Sequence, residues 1–389
     1  MTPAIELIGI DKRFGAVHAN KDITLEIAQG SIHGIIGENG AGKSTLMSIL
    51  FGFYSADKGE IKIKGRPVKI KSSSDAISFG IGMVHQHFML VDPFTVLENV
   101  VLGAEGGRLI GPALAKAREE LTRLARDYEL EVDPDAIVGE LPVGLQQRVE
   151  ILKALFKGAE TLILDEPTGV LTPDEADHLF RILGQLRDQG KTVILITHKL
   201  REIMAITDHV SVMRRGEMVA TKETKKTSVE ELAELMVGRR VLLRVKKGKA
   251  KPGQVVLDVK NLTWKDRKGV ARVDNVSFTV RSGEIVGIAG VSGNGQSELL
   301  ELISGISKPS SGQIIFEGKD IGILGDPRHV REEGLAHVPE DRQHRGLIAS
   351  FDASESGILG WQYDESLGRG FRLDRQAVVA RSKKDMLEF

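Results

Sequence analysis

The sequence predicts an α/β fold built twice in tandem with the second copy incomplete, and three observations carry that prediction. Short apolar runs such as SIHGII at 31–36 alternate with segments of helical spacing, as buried strands joined by crossover helices do. A glycine-rich loop, Gly37-Glu38-Asn39-Gly40-Ala41-Gly42-Lys43-Ser44-Thr45, lies between the first such run and a helical segment that starts at Lys43. A near-copy of that loop stands 253 residues on (290 − 37) as Gly290-Val291-Ser292-Gly293-Asn294-Gly295-Gln296-Ser297.

The first loop has the G-x-x-x-x-G-K-[ST] spacing of a phosphate cradle. Its glycines lie where backbone N–H groups must turn inward around an anion and a Cβ would obstruct it. The following helix points its positive end at the same place. Lys43 is expected to reach the terminal phosphates of a nucleotide, and Ser44 to offer its hydroxyl to Mg²⁺. Before the loop, Phe14 is an aromatic of an N-terminal loop placed to stack on a base. After it, Gln86, following the apolar GMV, is placed to reach the metal and the attacking water.

Further on, residues 161–164 (TLIL) form an apolar strand ending in Asp165-Glu166, 122 residues after Lys43 (165 − 43). In phosphate-loop proteins the strand-end Asp holds Mg²⁺ and a following Glu polarises the attacking water. A helix over Pro173–Gln189 leads to a second apolar strand, KTVILIT, which ends at His198, in reach of a γ-phosphate oxygen.

The repeat extends beyond the loop. Gly30, Gly34, Gly52, Gly59 and Gly65 have partners Gly283, Gly287, Gly305, Gly312 and Gly318 at the same offset. A first domain is expected over 4–238, a linker over 239–254 containing RVKKGKAKPG, and a second domain over 255–389. At this offset residue 389 matches residue 136, so the second copy is expected to break off within a helix (RQAVVARSKKDMLEF). In this copy Gln296 stands where the lysine belongs; Gly290, Gly295 and Ser297 are kept.

Composition narrows the function classes. Lys+Arg number 53 and Asp+Glu 54, a net charge of −1, so no global field points to nucleic acid or anionic lipid. The absence of cysteine excludes disulfides and cysteine-ligated metal and suits a reducing compartment. The N-terminus lacks a signal pattern, and no apolar run approaches the roughly 18 residues of a membrane span. Work at a membrane is therefore expected to go through a partner.

Read in order, Phe14, the loop at 37–45, Gln86, Asp165-Glu166 and His198 resemble the ATP-binding subunits of ABC transporters. The stretch Leu141-Pro142-Val143-Gly144-Leu145-Gln146-Gln147-Arg148-Val149 falls where that family carries its L-S-G-G-Q-Q-Q-R-V signature. Two cores in one chain resemble the fused subunit of importers for simple sugars and nucleosides, and GNGQSE at 293–298 and VPEDR at 338–342 resemble the nucleoside branch. The resemblance implies a phosphate-loop NTPase of the ABC type with antiparallel β and helical subdomains, and it implies ATP and Mg²⁺ as ligands. It also implies transmembrane permease subunits as partners, an indirect solute-binding protein, no nucleic acid, and a peripheral place on the cytoplasmic face of the plasma membrane. The region between Gln86 and Leu141 is implied to dock the permease, with Phe88 to Phe94 near the contact.

In the family, each nucleotide is clamped between one core's phosphate loop and the other core's signature. Here Pro142 replaces the signature serine, Val143 a glycine and Leu145 the glutamine, leaving Gly144. Proline removes a hydroxyl and a backbone donor together. The damaged signature would face the loop that carries Gln296, so the defects fall on one composite site. Hydrogen bonds to charged groups contribute about 1.5–3 kcal/mol each, so the loss weakens phosphate binding there by roughly two to four powers of ten. One competent site and one degenerate site are expected. The competent site would draw its signature from beyond residue 389, so the chain as given is expected to bind Mg-ATP at Lys43 yet hydrolyse it poorly. Glu340, one residue out of register with Gln86 (340 − 86 = 254), either meets a metal or supports the VPEDR turn through Arg342. Two alternatives stand beside the transport ATPase: a soluble tandem ATPase acting on ribosomes or nucleic acid, and a non-hydrolytic ATP-binding protein.

Overall fold

The computed structural model describes the chain except residues 1, 86–88, 104–109, 170, 240–247, 249, 267, 291–292, 324, 340–344, 370–371 and 389, together with the side chains of 110–113 and 369. Gln86, Phe88, Glu340 and Arg342 lie outside the described residues. The chain divides into two units, residues 1–245 and 246–389.

At the centre of the first unit is a six-stranded sheet. Its strands are β3 (Ile32–Ile36), β6 (Ile81–Val84), β7 (Thr161–Asp165), β8 (Thr192–Ile196), β9 (His209–Arg214) and β10 (Glu217–Glu223), in the order β10-β9-β3-β8-β7-β6. All neighbours are parallel except the β9–β10 hairpin. Every residue of β3, β6, β7 and β8 is buried, because the pleat sends alternate side chains into two separate cores. Ile32, Leu162, Leu164, Val193 and Leu195 enter one core. Ile35, Ile163, Ile194 and Ile196 enter the other.

The first core is closed by α3 (Val96–Val101), α4 (Ile110–Asp127), α5 (Val143–Phe156), α6 (Pro173–Asp188), α7 (Leu200–Ile206) and α8 (Val229–Val237). Three of these helices, α3, α4 and α5, pack on one another as a helical subdomain. The second core lies between the central sheet and an antiparallel sheet of β1 (Ile5–Phe14), β2 (Val17–Ile27), β4 (Lys58–Ile63) and β5 (Arg66–Val68), ordered β2-β1-β4-β5. α1 (Lys43–Leu50) runs through that core, and α2 (Ser73–Ser78), held by a Ser72–Asp75 capping box, covers one end.

One buried polar cluster leaves a pH signature. His33 on β3 is 2% exposed, stacks on His209 with ring centroids 6.2 Å apart, and is hydrogen-bonded through Nε2 to Ser211 Oγ at 2.8 Å. Burial, with His209 second, pushes its pKa down to about 3. The unfolded chain takes up this proton near pH 6.5 and the folded chain only near 3, so stability falls as pH drops through that window. The slope from this one group is about 1.4 kcal/mol per pH unit. Urea unfolding at pH 5 and pH 7.5 is expected to show that loss and to show it flattened in His33→Gln.

The second unit repeats the antiparallel sheet as β11 (Val255–Lys265), β12 (Ala271–Arg281), β13 (Ser311–Phe316) and β14 (Lys319–Asp320), in the order β12-β11-β13-β14. α9 (Gln296–Ile303) starts after Gly295 at φ 94°, as α1 starts after Gly42 at φ 98°. α10 (Pro327–Glu332), α11 (Ala353–Gly357), the β15–β16 hairpin (Gly368–Arg369, Arg372–Leu373) and α12 (Arg375–Glu388) follow. Residues 284–290, the counterpart of β3 and its exit, form no strand, and Ile285 is 91% exposed. In the first unit β3 is held on both sides by β8 and β9. Among the described residues no strand lies in register to pair with 284–290, and a strand without neighbours has nothing to satisfy its N–H and C=O groups.

Candidate functional site

β3 delivers the chain to the glycine loop, and the loop is clamped by its surroundings. A Cβ on Gly37 would lie 2.3 Å from the Met213 carbonyl oxygen. One on Gly42 would lie 2.3 Å from that of Ala19, in a left-handed conformation that side chains avoid. Asn20 Nδ2 donates to the Gly42 carbonyl at 3.0 Å, and the Gly216 N–H donates to that of Ala41 at 3.1 Å. The loop thus rests on β2 and on the β9–β10 turn. Beside it opens a cavity of about 800 Å³ lined by Phe14, Asn39 through Thr45 and Glu166.

Lys43 is 6% exposed, and its ammonium donates to the carbonyls of Gly37 at 2.8 Å and Glu38 at 3.0 Å. Burial lowers its pKa, while Glu166 and Asp165 pull it back up. Asp165 ends β7 at 9% exposure and accepts a hydrogen bond from the Ser44 hydroxyl. Burial raises its pKa, and that bond works against the rise. Two hard oxygen donors therefore stand side by side at the loop, a set that suits Mg²⁺. Glu166 follows at φ 47°, a left-handed conformation costly for a side chain, with its N–H donating to Ile196 O at 2.8 Å. Its Oε1 meets His198 Nδ1 at 2.8 Å.

A buried network holds both acidic and histidine loops. Thr168 is hydrogen-bonded to Glu202 Oε1, Thr197 Oγ1 donates to Glu202 Oε2 at 3.0 Å, and Lys199 Nζ donates to Thr168 O at 3.0 Å. Gln147 of α5, 2% exposed, donates to Pro167 O at 2.8 Å and ties the signature-like helix to the same loop.

The structure brings Lys43, Ser44, Asp165, Glu166 and His198 together. Phe14 is the last residue of β1, at a hairpin tip, where the sequence reading placed it in a loop. It lines the cavity and sits edge-on to Tyr54, ring centroids 5.1 Å apart. Pro142 is the N-cap of α5 and makes no side-chain cap bond; a Cβ on Gly144 would lie 2.7 Å from Glu175 Oε1. In the second unit the Gln296 amide lies against Gly290, where a Cβ would sit 2.1 Å from its Nε2. His18, Lys21 and Arg215 also line the first cavity, and sequence reasoning missed them because they stand on β2 and the β9–β10 turn without a motif spacing.

Pro142→Ser tests the cap. A serine cap contributes about 1 kcal/mol, and losing proline's restriction of the unfolded chain costs about 0.4–1 kcal/mol. The two nearly cancel, so the melting temperature is expected to move by less than about 2 °C. Any change in nucleotide retention in this variant then reports on the signature, not on stability.

Comparison with known proteins gives three findings. The family model described as "ABC transporter" matches residues 20–169 and 273–383. The chain is 46% identical over 385 residues to the nucleoside import ATP-binding protein NupA of Lactococcus lactis, covering 99% of this chain and 76% of that one. It is 44% identical over 409 residues to the glucose import ATP-binding protein TsgD13 of Haloferax volcanii, covering 98% and 74%. Among solved structures, the ADP conformation of an ATP-binding cassette of an ABC transporter aligns with TM-score 0.53 and 26% identity, covering 61% of this chain and 96% of that one.

Proposed function

Because the chain belongs to the ABC transporter family and is an ATPase subunit with two ABC domains, we propose that it powers import of nucleosides or simple sugars from the cytoplasmic face of the membrane. The supporting observation is that Lys43, Asp165, Glu166 and His198 converge beside a glycine loop. In this reading the loop amides and Lys43 hold the β- and γ-phosphates, and Ser44 and Asp165 hold Mg²⁺, with Gln86 near it. The ion screens phosphate charge. Glu166 accepts a hydrogen bond from the attacking water, and His198 orients Glu166 and the γ-phosphate. Phe14 stacks on the base. The proposed domains are 4–238 and 255–389 with a linker at 239–254. The loop built on Gly290, Gly295, Gln296 and Ser297 lacks the lysine and binds nucleotide weakly or not at all.

Transport needs a membrane partner, since no helix among the described residues is long and apolar enough to cross a bilayer. A groove of about 210 Å³ between the central sheet and the helical subdomain suits a permease segment; Phe53, Ile77, Met83 and Met89 line it. A solute-binding protein would act through that permease. Uptake of labelled guanosine, ribose and glucose by cells lacking this gene tests the proposal. The NupA likeness and GNGQSE favour nucleosides, so guanosine uptake is expected to fall and to return with the gene. Unchanged uptake of all three solutes would refute it.

A further inference from the structure

One buried amide against the glycine loop answers to no requirement of the fold. Asn20 of β2 is 0% exposed, and its Nδ2 donates to the Gly42 carbonyl at 3.0 Å. That acceptor fixes which end of the amide is the donor, and among the described residues the other end, Oδ1, has no hydrogen-bond partner. Gly42 O already accepts the first bond of α1, from the Leu46 N–H at 3.0 Å. The second copy of the loop shows the same helix start without the amide. At the repeat offset Asn20 becomes Val273 (20 + 253) and Gly42 becomes Gly295 (42 + 253). Val273 is buried too, at 3% exposure. Yet Gly295 caps α9 at φ 94°, against 98° for Gly42, and the Leu299 N–H donates to Gly295 O at 2.9 Å. A Cβ on either glycine would lie 2.3 Å from a carbonyl oxygen, that of Ala19 or of Arg272. The cap therefore forms over valine. A buried amide with an unsatisfied oxygen is costly, and it stands at the loop that keeps its lysine.

The consequence lies in the peptide that Gly42 shares with Lys43. Its oxygen and its N–H point in opposite directions within one plane, so holding the oxygen aims the N–H. The N–H groups of Lys43, Ser44 and Thr45 precede the first intrahelical donor, Leu46, and have no acceptor within the helix. These are the donors that a phosphate meets at a helix start. A carbonyl that accepts two hydrogen bonds also polarises the N–H across its own amide. We propose that Asn20 is a positioning residue for phosphate binding, which aims and strengthens the Lys43 N–H through the Gly42 carbonyl. This rests on the phosphate-loop reading above. The Gln296 loop has no such device, because Val273 offers no donor.

The test is competition of ATP, ADP and adenosine against a fluorescent nucleotide on the full chain, with thermal melting as the folding control. Asn20→Val copies the second loop. It is expected to weaken ATP and ADP binding about three- to tenfold and to leave adenosine binding and the melting temperature unchanged. Asn20→Asp keeps the shape, but only its protonated form can donate, and burial favours that form. Its ATP affinity relative to the unaltered chain is expected to recover as pH falls from 8 to 5.5. Unchanged ATP affinity in Asn20→Val would overturn the proposal. Equal loss of adenosine binding would overturn it too, since Asn20 would then support the cavity wall and not the phosphate donors. A ratio that does not vary with pH in Asn20→Asp would overturn the donated hydrogen bond, and that ratio decides if Asn20→Val does not fold. ATP affinity unchanged by Lys43→Ala would instead overturn the phosphate-loop reading.

Discussion

Lys43→Ala is expected to lower ATP affinity by about two powers of ten, a loss that calorimetric or fluorescent-nucleotide titration at fixed salt would read. The lysine supplies charge-assisted hydrogen bonds worth about 1.5–3 kcal/mol each, and a loss of about 3 kcal/mol is roughly a hundredfold. The local field makes the loss severe, because Asp165 and Glu166 both act on the same ammonium. Lys43→Arg is not a rescue. The ammonium fits between the carbonyls of Gly37 and Glu38, and a planar guanidinium does not occupy that space in the same way. Unchanged affinity in Lys43→Ala would place the triphosphate elsewhere and remove the basis for the whole site.

Glu166→Gln separates binding from chemistry. Phosphate release by the assembled transporter is expected to fall by about two to four powers of ten, the range for loss of a positioned base, while filter retention of ATP persists or rises. Glutamine keeps the shape of the side chain and a polar group facing His198, so nucleotide contacts remain. It removes the carboxylate proposed to accept a hydrogen bond from the attacking water. Wild-type turnover in this variant would take Glu166 out of the reaction.

The parts of this site that were readable from sequence are those whose chemistry is set by neighbours along the chain. Gly37 to Thr45 needs only its own spacing, and Asp165-Glu166 ends a run of apolar residues. The cavity's other walls come from β2 and the β9–β10 turn, which meet the loop only after the sheet has formed, so His18, Lys21 and Arg215 carry no local signal. The second copy shows the converse. Its GEIVGIAG segment has the strand propensity of GSIHGIIG, yet it forms no strand, because parallel pairing is a property of neighbours and not of the segment.

The pairing of β3 also sets an order of events during synthesis. Its two neighbours, β8 and β9, end only at Arg214, whereas β3 itself ends at Ile36. At translation rates of about 5–20 residues per second, roughly ten to forty seconds separate the emergence of the strand from that of its second flank. The hairpin of β1 and β2 can form in that interval, but the central sheet cannot close around its own middle strand. A nascent chain therefore carries the phosphate loop on an unpaired apolar ribbon while the ribosome works through the helical subdomain. Slow codons in that stretch prolong the exposure, and a chaperone has its longest opportunity to bind there.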